Sequence, residues 1–244
     1  NEYGRPITNI EENRYVLFNE NLVNESLVKE GVIDVFANSF LVECSRKQFE
    51  THVLYAKLNS ERNERFRIGT VIQNIGAQKR EVIKFPLNSK SEKHVENIFL
   101  NMRNQEEKNI HPLECNMQNN AVHFPFLKDK TIDALCYEMI QNNEINEVFV
   151  LLHNFFEDMK QSCGEIKITN NIYTECFCEY FGNQKLERNF ECVYNSNIDL
   201  VMDNIYQIGQ EYVIIDCEWI YPQWIPISFI IWRALNELYS KHEG

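Results

Sequence analysis

The stretch N-I-D-L-V-M-D-N-I-Y-Q-I-G-Q-E-Y-V-I-I-D-C-E-W, Asn197 to Trp219, decides how the chain folds. Asp199 and Asn204 lie five residues apart in a short polar turn, and Asp216 ends a run of β-branched residues, Val213, Ile214 and Ile215. That run is too short for a helix and too apolar for a loop, so it predicts a buried strand that delivers Asp216 to its tip. Phosphoryl transfer asks a protein for positioning and charge rather than covalent chemistry. One carboxylate orients an attacking hydroxyl, while an amide and a second carboxylate hold Mg²⁺ against the phosphates of a nucleotide. Asp199 takes the first part in this reading; Asn204 and Asp216 are the metal ligands. The same letters also suit an ordinary turn before a strand, because Asp and Asn cap turns readily.

The 244 residues suffice for one bilobal domain with a sizeable core. A hydrophobic share of 44% against 25% charged residues, with no low-complexity tract, argues for a folded chain. The net charge of −12 opposes a nucleic-acid partner, since Lys and Arg carry that affinity. No run reaches the roughly 18 apolar residues of a membrane span. The most apolar stretch, Trp224 to Leu238, is interrupted by Pro226, Ser228 and Arg233. The N-terminus shows no basic start followed by an apolar signal core, so the expected location is the cytoplasm. Cys176-Phe177-Cys178 is the one close cysteine pair and lacks the second pair a zinc site needs, which predicts reduced, mostly buried thiols.

From His52 to Phe85 the pattern alternates three times, in Val53–Leu58, Phe66–Ile72 and Glu81–Phe85, and predicts an antiparallel meander. Ser89 and Glu92 form a capping box opening a helix through about Arg103, with Val95, Ile98, Phe99 and Met102 on one face. Short strands near Leu113–Met117 and Ala121–Phe126 flank Asn119-Asn120, a favourable hairpin turn. Leu127–Ile140 and Glu144–Met159 are helical by period, and His153 within the second is expected to be packed. Residues 172–181 suit either strand or helix. Pro222 and Pro226 argue against a regular element between them, and Ile227–Tyr239 forms the last helix.

Asn197-Ile198-Asp199-Leu200, three residues, then Asn204-Ile205, with Ile215-Asp216 beyond, resembles the catalytic loop and metal-binding strand end of the protein-kinase-like superfamily, including its small-molecule and sugar kinases. Asn197 stands where that family has His, and Cys217-Glu218-Trp219 follows Asp216 where protein kinases have Phe-Gly. The resemblance implies an α+β fold: residues 51–126 as a small antiparallel-sheet lobe with one helix, and residues 127–244 as a shortened helical large lobe. Within the small lobe it implies that Lys84 grips the phosphates and that Glu96 steadies Lys84, with Glu92 as the other choice. The first turn, Asn59–Arg65, contains no glycine, so Arg62, Asn63 or Arg65 would reach phosphate by side chain or simply form a solvated turn. Phe124-Pro125-Phe126-Leu127 would be the hinge. Arg233, on an apolar helix, needs a carboxylate partner, and Glu218 is a candidate, in a role that is structural or catalytic.

Residues 1–50 are expected to be the tail of a preceding domain, since the chain opens without Met. Residues 34–42 resemble the end of methyltransferase regions in large bacterial proteins of cell-surface polysaccharide synthesis. Asp216-Cys217-Glu218-Trp219 and Trp232-Arg233-Ala234-Leu235 resemble kinase-like segments of such proteins. The resemblance implies an ATP- and Mg²⁺-dependent phosphotransferase with a sugar or other small hydroxyl acceptor, covalently linked to a methyltransferase or glycosyltransferase domain. The alternative is a pseudokinase that scaffolds such a neighbour.

Overall fold

The computed structural model describes residues 52–76, 79–104, 110–162, 164–172, 182, 187–194 and 196–242, with positions 23, 26, 27, 30 and 32. The resemblance at residues 34–42, the pair Cys176 and Cys178, and nearly all of 172–181 lie outside these. The chain divides into two compact units, Asn1–Thr51 with Gly244, and His52–Glu243. Every element below belongs to the second, a mixed α+β unit with mainly antiparallel sheets.

Its first half runs β1 (Val53–Leu58), β2 (Ile68–Asn74), β3 (Arg80–Pro86), α1 (Glu92–Asn104), β4 (Ile110–Pro112), β5 (Asn116–Gln118) and β6 (Ala121–Pro125). Five of these strands make an antiparallel sheet in the order β1-β2-β3-β6-β5. Strand β2 starts at Ile68 rather than Phe66, because Glu64–Phe66 forms a 3₁₀ turn whose cap, Asn63, accepts the Arg65 N–H through its side chain. Gly69 faces Phe85 across the β2–β3 ladder, and a Cβ there would sit 2.3 Å from the Phe85 ring. Asn119 and Asn120 have φ of 49° and 59°, the left-handed pair that a tight hairpin between β5 and β6 demands. The cap before α1 is Asn88, not Ser89. Asn88 and Ser91 exchange side-chain to backbone bonds around a 3₁₀ turn, Ser89–Ser91, and Glu92 stays exposed. The inner face of α1 is His94, Val95, Ile98 and Met102, with Phe99 packed beside it.

The second half runs α2 (Ile132–Gln141), α3 (Ile145–Ser162), β7 (Ile166–Thr169), β8 (Phe190–Tyr194), β9 (Ile205–Ile208), β10 (Glu211–Ile214), β11 (Trp224–Pro226) and α4 (Ile227–His242). Helix α2 starts later than the periodicity suggests because Thr131 caps it, accepting the Ala134 N–H at 3.2 Å. On α3 the buried stripe is Val148, Leu151, Phe155 and Met159. His153 falls two positions after Leu151, on the far side of the helix, and is exposed rather than packed. Strand β10 pairs antiparallel with β9 and parallel with β4, whose arrival from the first half sequence periodicity had not announced. The two prolines do not exclude structure: β11 pairs with β8 at the edge of the β11-β8-β7 sheet, where a proline at the strand end costs no internal bond.

Ile68, Val95 and Ile98 from the first half share one core with Ile132, Phe155, Tyr212, Ile214 and Ile230 from the second. Cys115, Cys136, Cys192 and Cys217 form no disulfide, and burial pushes Cys136 up to about 11. Among the described residues, no helix is long and apolar enough to cross a membrane.

Candidate active site

Alternation along β3 turns Lys84 inward, and the end of β10 brings Asp216 to meet it. Lys84 Nζ lies 2.6 Å from Asp216 Oδ2, with side chains only 11% and 16% exposed. The same ammonium sits 5.9 Å from the centroid of the Phe124 ring. The other oxygen, Asp216 Oδ1, is buried without a hydrogen-bond partner among the described residues. Burial raises the Asp216 pKa, Lys84 opposes that, and the charges of Glu218 and Asp199 add to it.

The Asp199 turn is tied to the Asp216 strand end by one buried side chain, Asn197. Its Nδ2 donates to the Asp216 carbonyl at 2.9 Å, and its Oδ1 accepts the Asp199 N–H at 2.9 Å. Asn204, at the end of the 3₁₀ turn Met202–Asn204, donates Nδ2 to the Asp199 carbonyl at 3.0 Å. The Ile215 N–H donates to the Asn204 carbonyl at 2.9 Å, so turn and strand share a backbone bond as well. The structure thus places Asp199, Asn204, Asp216 and Lys84 together.

Two expected pairings are replaced by others. Glu96 lies on the solvent face of α1, pairs with Lys93 at 2.8 Å and lines an open cleft that holds neither Lys84 nor Asp216. The carboxylate on Lys84 is Asp216, and the inward position of that helix is occupied by His94. Arg233 meets Asp199, not Glu218: Nη2 donates to Asp199 Oδ1 at 2.7 Å and Nε to the Ile198 carbonyl at 2.9 Å. Glu218 points instead to α1 and the β1–β2 turn, bonded to His94 Nε2 at 2.8 Å and paired with Arg62. Burial opposes its ionisation, yet the His94 hydrogen bond and the Arg62 and Lys84 charges hold the Glu218 carboxyl below its usual range.

Arg62 also lies 5.6 Å from the Trp219 centroid, over a cluster in which the Phe66, His94 and Trp219 rings stand 5.0 to 5.2 Å apart. This cluster docks the glycine-free β1–β2 turn on the residues after Asp216. Arg65 is exposed and stacks 4.7 Å over Phe66. Sequence reasoning missed His94 and the role of Asn197. The signal for Asn197 was its place in the loop motif; His94 had only its position beside Val95 on the helix.

A magnesium ion can be tested against these groups. No three His, Cys, Asp or Glu side chains cluster as a metal cage among the described residues. Mg²⁺ is commonly held by one or two carboxylates plus waters and substrate phosphates, so a full cage is not required. The unpartnered, buried Asp216 Oδ1 is a ligand atom of the right kind. Asn204 has its amide nitrogen committed to Asp199, which leaves its amide oxygen as the second.

No protein-family model and no curated protein matches this chain. Among solved structures it is similar to a macrolide 2'-phosphotransferase type I, with a TM-score of 0.35 and 11% identity over 77% of this chain and 75% of that one. Likeness of that degree leaves the geometry above as the basis for a functional reading.

Proposed function

We propose that the chain is a kinase-like phosphotransferase that moves the γ-phosphoryl group of ATP to a hydroxyl of a sugar or other small molecule, with Mg²⁺ as cofactor. One observation carries the reading: a buried Lys84–Asp216 pair with a free Asp216 oxygen, joined through Asn197 to the Asp199–Asn204 turn. Lys84 contacts the phosphates once nucleotide draws it from Asp216. Asp216 and Asn204 hold Mg²⁺, which when bound neutralises charge on the phosphate oxygens. Asp199 orients the acceptor hydroxyl and receives its proton. Arg62 and Arg65, on the β1–β2 turn, supply cationic side chains where a glycine-rich loop would supply backbone N–H groups. Expected partners are the nucleotide, the acceptor and a covalently linked methyltransferase or glycosyltransferase domain. The likeness of residues 34–42 to polysaccharide-modifying proteins makes the end of a bacterial cell-surface glycan the first acceptor to try.

Asp199→Ala should remove transfer of label from γ-labelled ATP while leaving nucleotide binding intact; full activity in that variant would overturn the assignment. A pseudokinase module is the second reading, favoured by Arg62 sitting on Glu218 in a turn without glycine. It requires that acceptor screening find no turnover even where nucleotide binds.

A further inference from the structure

We propose that Arg233 is a positioning residue for phosphoryl transfer: it commits one oxygen of Asp199, so that the other, Oδ2, takes the acceptor's proton. This rests on the phosphotransferase reading above. Arg233 lies on α4 next to buried Ala234 and one turn from buried Ile230, and its half-exposed side chain carries the guanidinium to the turn. Two N–H groups of that one planar group bind consecutive residues, Nε the Ile198 carbonyl at 2.9 Å and Nη2 the Asp199 Oδ1 at 2.7 Å. A guanidinium presents both donors in a rigid fork, whereas an ammonium is a single point of charge.

The opposite oxygen is treated differently. Asn204 Nδ2 approaches Asp199 Oδ2 only at 3.5 Å, at the outer limit of a hydrogen bond, while its 3.0 Å bond goes to the Asp199 carbonyl. Asn197 holds the Asp199 N–H. The backbone is therefore fixed by amides, Oδ1 by Arg233, and Oδ2 keeps its lone pairs for a hydroxyl.

Charge points the same way. Three carboxylates converge here and each has its own cation: Arg233 on Asp199, Lys84 on Asp216, and Arg62 on Glu218, which His94 also hydrogen-bonds. When Lys84 turns to the phosphates, Asp199 keeps its partner and its orientation. In the step itself, the acceptor oxygen forms a bond to the γ-phosphorus, and the bond from that phosphorus to the bridging oxygen breaks. The electron pair leaves with ADP, and the acceptor's proton passes to Asp199 Oδ2.

The test uses the full chain, with Arg233→Ala, Arg233→Lys and Arg233→Gln, measuring Mg·ATP affinity by calorimetry and turnover with an acceptor or with water. Mg·ATP affinity should stay within about twofold, while kcat falls about 100-fold, the penalty of a misplaced catalytic group. Lysine should not restore turnover. Added guanidinium should rescue Arg233→Ala in a saturable manner, which loss of a merely structural contact would not allow. Adding Arg233→Ala to Asp199→Asn should cost nothing further, because Arg233 acts through Asp199. Turnover within a few-fold of the parent in Arg233→Ala, or equal loss of affinity and turnover without rescue, would overturn the inference alone. Should Arg233→Ala not fold, the lysine and glutamine variants carry the same comparison. A parent chain that neither binds nor turns over Mg·ATP would overturn the phosphotransferase reading and the inference with it.

Discussion

Lys84 and Asp216 hold each other in place below the surface, and removing either partner leaves a buried charge behind. Lys84→Met should therefore cost about 3 kcal/mol at neutral pH, as breaking a buried ion pair does. The pH dependence has a definite sign. The Asp216 carboxyl, raised by burial, is deprived of the cation that opposed the rise, so the folded state binds its proton at a higher pH than the unfolded chain. Stability of Lys84→Met should thus recover as pH falls from neutral towards the ordinary carboxylate range, read by urea denaturation at several pH values. A variant whose stability fell with acidification in parallel with the parent would contradict this. Asn197→Ala strands the Asp199 N–H and the Asp216 carbonyl and should cost about 1–3 kcal/mol in the same measurement. The residues of this site were legible where the chain is local: Asp199, Asn204 and Asp216 follow from a turn and the strand after it. Glu96 was misassigned because helical spacing says which residues share a face, not how the helix is rotated over its sheet. His94 fills the inward position, two residues earlier.

Helix α4 closes the unit by gripping the Asp199–Asn204 turn at both ends. Arg233 holds Asp199, and near the C-terminus Lys241 bridges Asp133 of α2, at 2.6 Å, and Asp203 of the turn, with His242 also on Asp133. Burial works against ionised Asp133, but the Lys241 and His242 contacts prevail and hold its carboxyl below the usual range. That part of the stability is present above the unfolded carboxylate pKa and is lost as pH falls through the lower folded value. Lys241→Met should cost about 3 kcal/mol at pH 7. Its deficit against the parent should narrow on acidification, as Asp133 and Asp203 take up protons and cease to repel; a constant deficit from pH 7 to pH 4 would contradict the account. Gly69→Ala should displace the Phe85 ring and destabilise the β2–β3 ladder by about 1–3 kcal/mol, the usual cost of overpacking. Strands β1 to β3, the Asn119-Asn120 turn and all four described helices announce themselves by period and turn chemistry. Strands β4 and β11 do not, since three residues carry no period and their pairing partners lie far away in sequence.

The sheet half and the helical half of the 52–243 unit share one core, with Ile68 and Ile98 in the same cluster as Phe155 and Ile230. That unit should accordingly unfold in one cooperative step with matching calorimetric and van't Hoff enthalpies, and Phe155→Ala should lower its stability by about 3–5 kcal/mol. Separate transitions for the two halves would show that the shared core does not couple them. An acidic chain that gathers its cations on three carboxylates keeps Lys84 and Arg62 in reserve for an anionic ligand, while Arg233 stays on Asp199. Calorimetric titration of the chain with ATP and ADP, each with and without Mg²⁺, beside Asp216→Asn, asks directly whether that ligand is a nucleotide. The account predicts magnesium-dependent binding that raises the melting temperature by mass action and disappears in Asp216→Asn. Nucleotide binding that ignores magnesium, or survives Asp216→Asn unchanged, would contradict the metal site; no binding of any nucleotide would contradict the kinase reading itself.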